Sequence, residues 1–184
     1  MTGSGKDSLF GRIALIGAGL IGSSLARVIR REGLARHIAV TARTQKTLDK
    51  IQELGLADSV SLEATDAVKD ADLVVLCAPL GTYGAIAEAI APALKPGAII
   101  TDVGSCKQSV IDDVRPHLPE GVHLVPGHPV AGTEHSGPES GFAELFEGRW
   151  AILTPEADTD DDATEAVAEL LANPSAQIRE ETLD

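Results

Sequence analysis

The amino-acid sequence predicts an α/β fold built on a doubly wound, mostly parallel β-sheet. Short apolar runs rich in Val, Ile and Leu alternate with amphipathic stretches along the chain, a pattern typical of parallel strands covered by helices. Aromatic residues make up only 3% of the 184 residues, so we expect a core of aliphatic side chains, as in buried parallel sheets. The length is enough for one full-sized domain.

The individual elements follow from these runs and from the residues that end them. Strands are predicted at 12–16, 37–41, 72–77, 98–103, 123–126 and 150–154, each ended by Gly, Pro or Thr. Helices are predicted at 20–31, 44–54, 82–94, 107–117 and 161–171. The first has apolar residues at helical spacing and is stopped by Gly33. We therefore expect one domain over 12–172, with tails at 1–11 and 173–184, because 175–184 is too polar for a core strand.

The charge distribution limits the possible partners. The net charge of −13 argues against binding to nucleic acid, whose phosphates would be repelled. Residues 1–60, however, carry nine Lys/Arg against five Asp/Glu. The basic N-terminal third is therefore the part that suits a small anionic ligand.

Cysteine content and hydropathy predict a cytoplasmic protein without a membrane partner. Two cysteines, Cys77 and Cys106, make no disulfide framework. The uncharged run 13–26 resembles a signal-peptide core, but it is shorter than the roughly 20 residues that span a bilayer.

A glycine-rich loop follows the first predicted strand and opens the first helix: Gly17-Ala18-Gly19-Leu20-Ile21-Gly22. In this context the pattern indicates a dinucleotide site of the Rossmann type. Gly17 permits the tight turn, Gly19 lets a pyrophosphate approach the backbone, and Gly22 lets helix and strand pack closely. The amides of Leu20 and Ile21, at the start of the helix, face the phosphates. The alternative is a glycine-rich turn without a ligand.

The end of the second strand indicates which dinucleotide binds. An NAD site usually has Asp or Glu there for the ribose 2′-hydroxyl, whereas residues 40–46 contain no carboxylate. Arg43, Thr44 and Lys46 suit a 2′-phosphate, so NADP is favoured over NAD. Alternatively, Arg43 only solvates a helix start. Ala78 and Pro79 follow the strand 72–77, where such sheets place the cofactor's riboses, and we expect them to form a backbone wall.

The candidate catalytic residue is His128, within the segment 127–137, which is rich in glycine and follows a predicted strand. A histidine held between Gly and Pro can accept a proton from a substrate hydroxyl, although a loop histidine bonded to backbone has the same pattern. His135 is expected to be exposed, and the remaining histidines (His37, His117 and His123) to be structural. Their spacing gives no metal site.

Four segments together resemble the prephenate and arogenate dehydrogenases: GAGLIG, DVGSCK, GHPVAGTEHSG and FEGRWAILTP, spread over residues 12–155. The resemblance implies an NAD(P)-dependent oxidation in tyrosine synthesis. A ring carbon gives a hydride to nicotinamide, the ring carboxylate leaves as carbon dioxide, and the ring becomes aromatic. It also implies that His128 is the general base, that Ser105 holds it and touches the nicotinamide side, and that Thr133 and Glu134 line the substrate pocket.

The sequence departs from that family in two respects. The family has a further helical domain that forms the dimer and supplies a substrate-binding arginine, and no segment here matches it. After residue 171 we also expect no further strand, where the family has one. Two other interpretations stay open: a reductase of the β-hydroxyacid dehydrogenase type, and a module that binds NADP without a complete substrate site.

Overall fold

The computed structural model describes residues 8–172 and 176–181 and shows a large and a small β-sheet. The large sheet is parallel and consists of β1 (Phe10–Ile16), β2 (Ala35–Thr41), β3 (Ser59–Ser61), β4 (Leu73–Leu76), β5 (Ile99–Asp102) and β6 (His123–Val125). Its spatial order is β3-β2-β1-β4-β5-β6. This is the doubly wound order, with its switch point between β1 and β4. The predicted fold class is confirmed.

Helices cover both faces of the large sheet. They are α1 (Leu20–Glu32), α2 (Gln45–Glu53), α3 (Ala64–Val68), α4 (Tyr83–Ile90), α5 (Lys107–Val114) and α6 (Asp161–Ala172). Side chains of β1 alternate between two apolar layers, because successive residues of a strand point to opposite faces. Ile13 and Leu15 belong to the layer with α1, α2 and α6, and Ala14 and Ile16 belong to the layer with α3, α4 and α5.

Helix ends agree with the sequence at α1 and differ at α4 and α5. Gly33 follows α1 in the left-handed conformation (φ 65°), and its amide donates to the carbonyl of Ile29. Helices α4 and α5 end before their predicted limits and continue as 3-10 turns at Ala91–Ala93 and Arg115–His117, each with a proline in its first positions. Proline lacks the amide hydrogen that a continuing α-helix needs. The short elements β3 and α3 were not predicted.

The small sheet corrects three sequence-based expectations. It consists of β7 (Gly127–Pro129), β8 (Trp150–Leu153) and β9 (Gln177–Glu180), with β7 antiparallel and β9 parallel to β8. The predicted strand 150–154 therefore lies outside the main sheet, and His128 lies in a short strand rather than in a loop. Part of the predicted polar tail is also a strand, so the expectation of no strand after residue 171 is wrong.

Strand β9 was not predicted because its pairing with β8 depends on backbone hydrogen bonds. The amide of Gln177 donates to the carbonyl of Arg149 (2.8 Å), and that of Glu181 donates to the carbonyl of Leu153 (2.9 Å). Within the strand, Ile178 is half-buried against the core, while Gln177, Arg179 and Glu180 are exposed. A strand at a sheet edge with one apolar contact leaves no clear alternation in the sequence.

The N-terminal boundary also shifts. The predicted tail 1–11 overlaps β1, which starts at the buried residue Phe10, and the Phe10 amide donates to the carbonyl of Leu34 (2.9 Å). The tail predictions for 1–7, 173–175 and 182–184 lie outside the described residues. In the described part of the chain, no helix is both long and apolar enough to cross a membrane.

Candidate active site

The candidate site residues follow strands that end at one edge of the large sheet. The glycine loop follows β1, Ala78 follows β4, Ser105 follows β5 and His128 follows β6. These strands are parallel, so their carboxyl ends meet at the same edge, which is where doubly wound sheets bind ligands. Backbone bonds join the neighbouring ends: the Gly17 amide donates to Thr41 (3.1 Å) and the Cys77 amide to Ile16 (2.8 Å).

Two glycines of the loop are required by close backbone packing. Gly17 has φ 111°, and a Cβ there would lie 2.8 Å from the carbonyl oxygen of Cys77. A Cβ on Gly22 would collide with the carbonyl oxygen of Gly17. Because the colliding atoms belong to the backbone, no side-chain movement relieves either contact, and the loop needs glycine at both positions.

Gly19 differs from these two because it borders open space. A Cβ built there would have no neighbour within 4 Å. Gly19 is the N-cap of α1, has no side chain to bond the first amides of the helix, and is followed by no acidic residue in the first turn. The amide end of a helix carries partial positive charge and free donors. This arrangement fits a dinucleotide pyrophosphate, held by the backbone of Gly19, Leu20, Ile21 and Gly22.

The segment after β2 presents positive charge beside the loop. Arg43 and Lys46 are exposed, and within the described ranges neither forms an ion pair. The Thr44 hydroxyl is already used, since it accepts from the Thr47 amide (3.3 Å) and caps α2. Ala42 is buried where an acidic residue would stand in many NAD sites. Arg43 and Lys46 can therefore meet a phosphate, while Thr44 primarily starts the helix.

The segment after β4 forms a turn. Ala78 is half-buried and Pro79 is exposed, and the carbonyl of Pro79 accepts from both the amide and the hydroxyl of Thr82 (2.9 and 2.7 Å). Cys77 packs against the core, and burial, followed by the charge of Asp102, raises the pKa of its thiol. A thiol held in its neutral form is a poor nucleophile, which agrees with a packing role.

His128 is held beside the end of β5. Its ring Nδ1 lies 3.4 Å from the carbonyl oxygen of Val103. Because a carbonyl oxygen only accepts hydrogen bonds, in the neutral ring this contact favours the tautomer with hydrogen on Nδ1 and the lone pair on Nε2. Ser105 lies two residues beyond Val103 and is exposed. Among the described residues no hydrogen bond joins Ser105 to His128, so the contact implied by the family resemblance is not seen here.

A buried ion pair next to these residues was not singled out from the sequence. The Nζ atom of Lys107 lies 2.5 Å from Oδ2 of Asp102, and the two side chains are only 7% and 0% exposed. Burial raises the pKa of the Asp102 carboxyl, a rise opposed by the Lys107 ammonium and by the amides of Gly104 and Gly127. Burial likewise lowers the pKa of Lys107, and Asp102 opposes that change. The signal available in the sequence was a charged residue at the end of a buried strand.

Thr133 and Glu134 lie on the exposed segment that follows β7. The hydroxyl of Thr133 accepts from the amide of His135 (3.2 Å), and the carboxylate of Glu134 lies 3.5 Å from Nε2 of His135. His135 is 69% exposed in its side chain, as expected from the sequence. Among the described residues, no hydrogen bond or ion pair joins Thr133 or Glu134 to His128, so their place in a substrate pocket stays a prediction.

The chain after this segment is fastened to α1. The hydroxyl of Ser24 accepts from the Phe142 amide (3.1 Å), and Arg27 donates to the carbonyl of Pro138 (3.2 Å). Gly141 lies directly against α1, since a Cβ there would collide with the Ser23 hydroxyl. The helix that starts at the glycine loop therefore also anchors the segment that leads from His128 to β8.

Three features together define a dinucleotide-binding protein of the doubly wound class: the strand order, the glycine loop at the start of α1, and the polar groups at the carboxyl edge. No cluster of three or more His, Cys, Asp or Glu placed to hold a metal ion occurs within residues 8–172 and 176–181.

Comparison with known proteins specifies the family. Residues 25–180 match the family model described as "Prephenate dehydrogenase, nucleotide-binding domain", and the chain belongs to this family. It is 44% identical over 162 residues to the cyclohexadienyl dehydrogenase of Zymomonas mobilis, covering 88% of this chain and 55% of that protein. It is 33% identical to the prephenate dehydrogenase of Bacillus subtilis, covering 91% and 46%. The chain thus spans about half the length of these curated relatives.

Solved structures agree with this assignment. Prephenate dehydrogenase from A. aeolicus in complex with hydroxyphenyl propionate and NAD+ superposes with a TM-score of 0.85 at 29% identity, covering 94% of this chain and 60% of that one. Synechocystis arogenate dehydrogenase gives a TM-score of 0.85 at 30% identity, covering 93% and 59%.

Proposed function

We propose that this chain is the nucleotide-binding and base-supplying part of a dehydrogenase that oxidatively decarboxylates prephenate or arogenate. The observation that carries the proposal is the position of His128. It lies at the same sheet edge as the glycine loop, with Nδ1 against the Val103 carbonyl, and no hydrogen bond within the described residues uses Nε2. The names of the relatives supply the substrate class, since they include cyclohexadienyl, prephenate and arogenate dehydrogenases.

Binding of the cofactor follows from the glycine loop. The α1 amides at Leu20 and Ile21 would hold the pyrophosphate, and Gly19 leaves the space for it. Arg43, helped by Lys46, would hold a 2′-phosphate, so NADP is the preferred cofactor and NAD the alternative. Ala78 and Pro79 would line the ribose side. When bound, the nicotinamide ring accepts a hydride.

His128 supplies the base for the reaction. Oxidation at a ring carbon that bears a hydroxyl removes a hydride from the carbon and a proton from the hydroxyl oxygen. Nε2 of His128 takes that proton as the carbonyl bond forms, a role typically worth about 10²–10⁴-fold in rate. The bond from the ring to its carboxylate then breaks and carbon dioxide leaves. The electron pair of that bond moves through the ring to the carbonyl oxygen, which makes the ring aromatic, and the oxygen takes up a proton to become a phenol. Ser105 would contact the nicotinamide side, and Thr133 and Glu134 the substrate.

Two measurements on this chain test the proposal. Isothermal titration with NADP and with NAD measures cofactor binding, and absorbance of the reduced nicotinamide measures turnover of prephenate and arogenate. Binding of NADP or NAD with turnover of either substrate supports the proposal. NADP binding without turnover identifies a dinucleotide-binding module instead. Turnover of a β-hydroxyacid, with none of prephenate or arogenate, identifies the other class of reductase.

A further inference from the structure

The Asp102–Lys107 ion pair is buried next to the segments that carry Ser105 and His128, and its burial calls for an explanation. Removing two charges from water carries a large desolvation penalty, and apolar pairs of similar size are often as stable or more stable. Stability alone therefore does not account for a carboxylate with 0% exposure and an ammonium with 7% exposure.

The contacts of the pair extend to the backbone of two separate segments. Oδ2 of Asp102 accepts from the amide of Gly104 (2.7 Å), and Oδ1 accepts from the amide of Gly127 (3.0 Å). Nζ of Lys107 donates to the carbonyl of Gly127 (2.6 Å). The pair thus holds Gly127 at both its amide and its carbonyl while it holds Gly104.

Close packing around Gly127 further restricts the position of its backbone. A Cβ there would lie 3.1 Å from both the carbonyl oxygen of Asp102 and the hydroxyl of Thr101, and 3.4 Å from Leu153. The backbone of Gly127 therefore packs directly against the backbone of Asp102 at the end of β5. All the groups bonded to Asp102 are donors, which suits an ionised carboxylate.

We infer that Asp102 is a positioning residue that fixes His128 relative to Ser105. Lys107 neutralises the Asp102 carboxylate and adds a hydrogen bond to the Gly127 carbonyl. The inference rests on the proposed function of His128. Gly104 precedes Ser105 in the chain, and Gly127 precedes His128. One carboxylate therefore sets the relative position of the two backbone segments that carry the candidate catalytic groups. The same arrangement brings the His128 ring to the Val103 carbonyl, which selects its tautomer.

The test compares Asp102→Asn, Lys107→Met and the double variant in which both changes are made. Each single variant leaves one buried charge without its partner, and we expect its melting temperature to fall. The double variant removes both charges, so its melting temperature should recover toward that of the wild type. It still lacks the Nζ bond to the Gly127 carbonyl and the carboxylate that holds two amides.

The decisive readout is the tautomer of His128, taken from the imidazole ¹⁵N shifts of its neutral form and assigned with His128→Asn. Wild type should show hydrogen on Nδ1. The double variant should show a mixture of tautomers, or hydrogen on Nε2, at a recovered melting temperature. A double variant that recovers its melting temperature and keeps hydrogen on Nδ1 would show that the pair serves stability alone, and the inference would fail.

Turnover separates this inference from the proposed function. If wild type converts prephenate or arogenate, kcat of the double variant should fall at least about tenfold, because a misplacement of about 1 Å costs up to about 100-fold. The Kd for NADP should stay unchanged, since α1 is untouched. An unchanged kcat contradicts the inference. Absence of binding of both NADP and NAD, or of turnover with either, in the wild type contradicts the proposed function, while the ¹⁵N result still decides whether Asp102 positions His128.

Discussion

His128 and Val103 are joined by a hydrogen bond between the imidazole Nδ1 and the backbone carbonyl oxygen, 3.4 Å apart. The bond links the small sheet to the carboxyl end of β5, and it directs the basic nitrogen Nε2 away from that carbonyl. A side chain held in this way can act as a general base without first changing its tautomer.

Replacement of His128 by Asn should remove the base and leave the nucleotide site intact. We expect kcat for prephenate or arogenate to fall by about 100-fold or more, with NADP affinity nearly unchanged in isothermal titration. His117→Asn, in the 3-10 turn after α5, is the matched control and should keep both values. Loss of NADP binding in His128→Asn would indicate a structural role instead.

Two substitutions in the glycine loop should separate folding from binding. Gly22→Ala places a methyl group against the Gly17 carbonyl, and we expect a loss of about 1–3 kcal/mol in the free energy of unfolding. Gly19→Ala meets no atom within 4 Å, so its melting temperature should be unchanged or slightly higher. Its NADP affinity should nevertheless fall about tenfold or more, equivalent to about 1.4 kcal/mol, because the methyl group occupies the path of the pyrophosphate. Normal NADP binding by Gly19→Ala would contradict the proposed site.

Arg43→Ala should change cofactor preference. A hydrogen bond to a charged group contributes about 1.5–3 kcal/mol, so NADP affinity should fall about tenfold or more while NAD affinity stays the same. Arg36→Ala, an exposed arginine near the amino end of β2, should leave both affinities unchanged. An equal loss of affinity for NADP and for NAD in Arg43→Ala would refute the role of Arg43 in holding the 2′-phosphate. A strong preference of the wild type for NAD would refute it as well.

Gly141→Ala should loosen the segment fastened to α1. Its Cβ would collide with the Ser23 hydroxyl and lie 3.0 Å from the Ser24 amide, and we expect a loss of about 1–3 kcal/mol in the free energy of unfolding. Gly132→Ala, in open space, is the control and should melt as the wild type does. Equal melting temperatures for the two variants would show that this segment is not held by α1.

Acid stability should depend on Asp58. Burial raises the pKa of its carboxyl, but hydrogen bonds from the Ile38 amide (2.7 Å) and Arg30 (3.0 Å) outweigh this effect and hold the pKa below its usual range. A pKa lowered by folding contributes stability that is complete above about pH 4 and is lost as pH falls through the folded value. Asp58→Asn should therefore be less stable at neutral pH and lose less on acidification, as measured by urea unfolding across pH. Parallel stability curves for the two proteins would contradict this assignment.

Much of the fold could be predicted from the sequence because its signals are local. The run 12–16 lies within β1, Leu20 starts α1 as expected, and Gly33 ends α1 in the left-handed conformation that glycine favours. Each signal concerns residues close together in the chain, so one sequence is enough to detect it. Strand β9 gave no such signal, because its pairing with β8 depends on backbone bonds to a distant segment.

The sequence by itself determined the parallel sheet, the glycine loop and the identity of His128 as the candidate base. Tertiary structure alone decided that His128 lies in a strand against Val103, and that Ser105 stays exposed without a hydrogen bond to it. It also brought Asp102, Lys107 and Gly127 together across 25 positions of sequence. Local preferences are enough to fix elements such as β1 and α1, whereas a buried charge is stabilised only by partners that the folded chain brings to it.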